Sequence, residues 1–191
     1  MGAALFLVPL FTCFADRIPW PQCEIEDETG YAECSGRMQL VRERKEACMG
    51  FQLERFVKEQ AYCYEEALNE VRNGRKESHW IWFVFPQLKG LGSSSASEYF
   101  GISGRGEAAA YLADPVLGAR LLEITQALLA QPERDPEKIF GFPDVLKVRS
   151  CMTLFESVCM ERDSVFSRVL DEFYQGVRDT WTLQKLESKG I

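Results

Sequence analysis

The chain has 191 residues, 46% hydrophobic and 12% aromatic, enough apolar material for one sizeable buried core but too little length for several domains. With 29 acidic against 22 basic residues its formal net charge is -7, which argues against a broad basic face for nucleic acid but leaves room for a local basic pocket. Seven cysteines form no Cys-x-x-Cys pair and accompany a single histidine, so no metal site is expected and no cofactor is implied.

Residues 1–50 read as an extension, poorly ordered, with a signal-like apolar start. Ala3 to Phe14 is apolar apart from Thr12 and is interrupted by Pro9, and Cys13 and Ala15 are small residues at the spacing of a cleavage site. Met1-Gly2 offers no positive charge ahead of it, and the segment is shorter than the ~20 residues of a membrane span. A cytoplasmic protein is therefore expected, with secretion as the alternative if residues 1–15 are cleaved. From Asp16 to Gly50 no apolar period is sustained, and Pro19, Pro21, Gly30 and Gly36 interrupt it.

The folded domain is expected over 51–191. Phe56, Val57, Gln60, Tyr64, Ala67, Leu68 and Val71 recur at three-and-four spacing and predict a helix stopped by Asn73-Gly74. Trp80 to Phe85 suits a buried strand or a buried helix; no second strand-like run exists to pair with it, so a helical segment capped at Ser78 and stopped by Pro86 is expected. Ser95-Ala-Ser-Glu98 has capping-box spacing, and Glu107 to Leu112 reads as a short helix. Asp114-Pro115 and Asp135-Pro136 each place an N-cap before proline, the first opening a stripe of Leu117, Leu121, Ile124 and Leu128. Further helices are predicted over 143–158, 163–174 and 179–188. The fold class is all-α: a single compact multi-helix domain with irregular loops.

Several stretches carry a resemblance. Phe51-Gln-Leu-Glu-Arg-Phe-Val, Gly74-Arg-Lys-Glu-Ser-His-Trp-Ile-Trp-Phe-Val-Phe-Pro-Gln, Gly90-Leu-Gly-Ser, Ala110-Tyr-Leu-Ala-Asp-Pro, Ile139-Phe-Gly-Phe-Pro-Asp and Met152-Thr-Leu-Phe follow in order. Together they resemble the domain-of-unknown-function family 1810, sometimes labelled calpastatin-like, over about residues 51–186. The resemblance implies a small helical single domain and no reaction. This chain has Asp114 where the family usually has histidine, and Cys151 where it has a second serine, so a mechanism needing either residue is not implied here.

His79 is the sole imidazole, able to move a proton near neutral pH, and beside Trp80 and Trp82 it reads equally as a core residue satisfied by backbone carbonyls. Arg75 and Lys76 before it suit an anion, although cations after a helix C-terminus also simply favour the helix dipole. Gln87 and Ser94 belong to a hydroxyl-rich loop with glycines, a weak phosphate-cradle signal without Gly-x-x-x-x-Gly-Lys. Asp144 and Lys147 stand three apart, an ordinary ion-pair spacing, with Ser150, Cys151 and Thr153 one to two turns on. Cys151 reads as a buried thiol more readily than as a nucleophile.

The expected function is binding of a small anionic or phosphate-bearing ligand around His79, contacted by Arg75, Lys76, Trp82, Gln87, Ser94, Lys147, Ser150 and Thr153. One alternative is a hydrolase or transferase acting on a nucleotide-like substrate, with His79 and Asp144 as the catalytic pair. The other is a non-catalytic structural or interaction module. No nucleic-acid partner is expected, and the sequence leaves open whether the protein is an enzyme and what its oligomeric state is.

Overall fold

A computed structural model of the protein describes residues 50–188; the expectations for the signal-like start and the rest of the extension lie outside the described residues. Among the described residues the regular structure is nine helices and no strand, as the apolar periods predict.

Helix α1, Glu54–Arg72, buries Phe56, Gln60, Tyr64, Ala67, Leu68 and Val71, with Val57 at the edge of the same stripe. It stops where expected, because Gly74 adopts φ 71°, a left-handed value that a Cβ disfavours. The aromatic run folds as the short helix α2, Ile81–Val84. Ser78 does not cap it, contrary to expectation. The helix starts two residues later than a Ser78 cap would need: Trp80 takes the cap position, while the Ser78 hydroxyl and amide both donate to the Glu70 carboxylate, at 2.6 and 2.9 Å.

Helix α3 is Ser95–Tyr99, capped one residue earlier than expected: Ser94 Oγ accepts from the Ser97 amide at 3.1 Å, while Glu98 pairs with Lys89. Helix α4, Arg105–Ala113, is longer than predicted because Glu107 accepts from the Ser103 amide and from Arg55, fixing the turn before it. Asp114 Oδ1 accepts the amides of Val116 and Leu117 and so opens α5, Leu117–Leu129, with Leu117, Leu121, Ile124 and Leu128 buried as predicted. A Cβ on Gly118 would lie 2.1 Å from the Leu112 carbonyl oxygen, so glycine is what lets α5 start against the end of α4. Asp135 and Pro136 open α6, Pro136–Phe140, in the expected way.

Helix α7, Asp144–Glu156, is the central element and packs against α2, α4, α6, α8 (Val165–Phe173) and α9 (Thr180–Ser188). It buries every residue from Ser150 to Phe155, so its neighbours enclose it on most sides. Ser164 caps α8 by accepting from the Ser167 amide, so the helix begins two residues after the predicted 163. One pairing was not anticipated: Leu88 and Ile102, both buried, form an isolated parallel bridge through Lys89 N–H to Ile102 C=O and Ile102 N–H to Gln87 C=O. Two isolated residues leave no alternating pattern, so nothing in the sequence announces them. The bridge ties the start of the 87–92 loop to Ile102.

Candidate functional site

The 74–80 corner is organised by one carboxylate. Glu70, in the last turns of α1, accepts from the amides of Glu77 and Ser78, the Ser78 hydroxyl and the Trp80 indole, at 2.6 to 2.9 Å. Burial pushes its pKa up, but these donors outweigh burial and hold it below the ordinary carboxylate value. The corner then delivers Lys76 inward. Its amide donates to the Ile139 carbonyl, and its Nζ donates to the Ser78 carbonyl and lies 2.7 Å from Asp144 Oδ2.

Asp144 opens α7 and receives a second cation from its own helix, with Lys147 Nζ at 2.6 Å from Oδ1. Lys76 also lies over the Trp80 ring, and Lys147 over the Trp82 ring at 4.5 Å. Side-chain exposure is 7% for Lys76, 16% for Asp144 and 19% for Lys147, so two ammonium groups share one carboxylate largely out of water. Burial raises the Asp144 pKa, and hydrogen bonds and charge from Lys147 and Lys76 more than reverse it.

Lys147 opens onto a cleft of about 860 Å³. The α7 wall is Pro143, Leu146, Lys147 and Ser150, with Arg149 beside them, and the α9 wall is Trp181, Gln184, Lys185 and Ser188. Each helix thus offers one face at i, i+3, i+4, i+7 spacing. Gln87 and Gly90 to Gly92 form the third side. Asp179 joins the walls: its amide donates to Thr153 Oγ1 on α7, and its Oδ2 accepts from the Thr182 amide and hydroxyl, capping α9. Arg149 Nη2 stands 3.7 Å from Asp179 Oδ1, while its buried Nε has no hydrogen-bond partner among the described residues. Lys185 Nζ crosses to the Gly90 carbonyl at 3.1 Å. The lining therefore carries three cations against the single carboxylate of Asp179, in a chain whose net charge is -7.

Of the residues singled out from sequence, Gln87, Lys147 and Ser150 line this cleft. Lys76, Asp144 and Trp82 stand directly around Lys147, and Thr153 is buried behind the wall as the acceptor for Asp179. Arg75 is exposed and pairs with Glu77 at 3.6 Å, and Ser94 is occupied as the α3 cap. His79 is exposed, lies off the cleft lining, and makes no hydrogen bond or ion pair among the described residues. The reading of His79 as a core residue is therefore corrected: its neighbours Ser78 and Trp80 are the ones tied down. Cys151 is fully buried and burial pushes its thiol pKa well up, so it does not present a thiolate.

Sequence reasoning missed Arg149, Trp181, Gln184, Lys185 and Ser188. The face spacing on 181–188 was the available signal. No helix among the described residues is long and apolar enough to cross a membrane.

Comparison with known proteins agrees with the resemblance. The conserved hypothetical protein Rv1873 from Mycobacterium tuberculosis, known from a crystal structure, is 45% identical with a TM-score of 0.70, covering 72% of this chain and 98% of that one. No functionally curated protein matches the chain significantly. The family model for proteins of unknown function DUF1810 matches residues 50–186, and the chain belongs to that family.

Proposed function

We propose that this domain binds a small anionic, phosphate-bearing ligand in the cleft between α7, α9 and the 87–92 loop. The observation that carries this reading is the charge imbalance at Lys147. Two ammonium groups of low exposure share the one carboxylate of Asp144, and the second ammonium faces the cleft. A poorly hydrated cation that shares its counter-charge with a second ammonium favours an anion beside it, and Arg149 and Lys185 on the same lining add to that field.

Binding is better supported than catalysis by His79 and Asp144. Both Asp144 oxygens are taken by lysines, and His79 has no orienting partner among the described residues, whereas a general base needs a hydrogen-bonded path to its proton. The test is a thermal-shift titration of the full-length protein with inorganic phosphate and pyrophosphate. A ligand that binds only the folded state raises the melting temperature. Pyrophosphate should raise it, and the Lys147→Gln/Lys185→Gln double variant should lose that rise. An unchanged melting temperature across the titration would sink the proposal.

A further inference from the structure

The anion reading leaves most of the cleft unexplained. A volume of about 860 Å³ lies in the range of sites that enclose whole organic molecules, far beyond a lone phosphate. Two lining residues say what fills the remainder. Trp181 is 71% exposed although it sits on the cleft face of α9, and it makes no ring, cation or hydrogen-bond contact among the described residues. The helix is anchored without it, through buried Thr182 and Leu186 on another face. Gln87 is the reverse case. It is only 8% exposed and lines the cleft, yet its carboxamide makes no hydrogen bond among the described residues.

Resting on the anion reading above, we infer that the ligand is a nucleoside phosphate: an anion held by Lys147, Arg149 and Lys185, joined to a flat heteroaromatic ring that stacks on Trp181 and offers its polar edge to Gln87. An open indole face is a sequence-tolerant platform for a nucleobase. A carboxamide presents a donor and an acceptor side by side, which matches a base edge and which neither phosphate nor a hydrocarbon ring satisfies. An arriving base edge takes up this donor and acceptor in place of solvent, so the carboxamide gains its pairing as the ring docks.

Isothermal titration of the full-length protein with pyrophosphate, ribose 5-phosphate and the four ribonucleoside diphosphates tests this. At least one nucleotide should bind about tenfold or more tightly than pyrophosphate, the gain expected of one stacked base. Trp181→Ala should bring that nucleotide down to the pyrophosphate level without changing pyrophosphate affinity, Trp181→Phe should keep most of the gain, and Gln87→Leu should reduce it. An unchanged melting curve for each variant establishes that the fold is intact. If pyrophosphate binds as tightly as every nucleotide, or if Trp181→Ala leaves the nucleotide advantage in place, the ring assignment is wrong and the anion site stands. If neither pyrophosphate nor any nucleotide binds, both readings fall together.

Discussion

Lys76 Nζ stands 2.7 Å from Asp144 Oδ2, and this contact ties the corner after α1 to the first turn of α7 across 68 positions of sequence. Because Asp144 also holds Lys147, its loss strands two ammonium groups, while the loss of Lys147 leaves Asp144 still paired. Asp144→Ala should therefore cost ~3–5 kcal/mol, as for a broken buried pair. Lys147→Ala should cost about 1 kcal/mol or less. Urea unfolding of both variants checks the ranking, which equal costs would contradict.

Acid should act through the same corner. Glu70 and Asp144 have folded-state pKa values below their ordinary values of 4.5 and 3.8. A carboxyl depressed by folding contributes stability that is fully present above its unfolded pKa and is lost as pH falls through the folded one. Unfolding free energy should thus decline as pH is lowered from about 4.5, and Glu70→Gln and Asp144→Asn should each flatten the decline. A slope identical to that of the parent protein would show that these carboxylates are not its source.

Thiol reactivity should divide the domain's cysteines. Cys151 is fully buried with its pKa pushed well up, whereas Cys63 and Cys159 are partly exposed. Maleimide labelling of the native, reduced protein, read site by site by mass spectrometry, should modify Cys63 and Cys159 and reach Cys151 only after denaturant is added. Early labelling of Cys151 would mean that α7 opens locally.

A chain beginning at Met49 should melt as the full-length protein does, in keeping with a domain that starts near residue 51. Beginning instead at Glu54 removes Leu53, whose carbonyl accepts the Phe56 amide and whose side chain packs against the core, and the Gln52 carbonyl that Arg55 uses. That chain should melt lower. Matching melting curves for the two would move the domain boundary.

Local signals carried the fold well. The α1 stripe and the Asp114 and Asp135 caps depend on neighbours within a turn or two, and each appears where its spacing places it. Caps slipped by a residue or two where a neighbour was better placed, as Ser94 is relative to Ser95, or where a distant group set the corner, as Glu70 does at Ser78. The site was legible in part for the same reason. Gln87, Lys147 and Ser150 lie in the segments with marked composition, but the α9 wall exists only because Asp179 and Thr153 seat that helix on α7. Exposure of Trp181 also runs against the ordinary burial preference of an aromatic residue, so composition alone places it in a core.

The Asp179 junction bears on how a ligand would arrive. Its amide is held by Thr153, its carboxylate closes α9, and the adjacent Arg178 makes a two-point contact with Glu156 at the far end of α7. The two walls are thereby pinned to each other before anything enters between them. Association with such a preformed site needs no prior rearrangement, so in stopped-flow mixing the observed rate should climb linearly with ligand concentration and show no plateau.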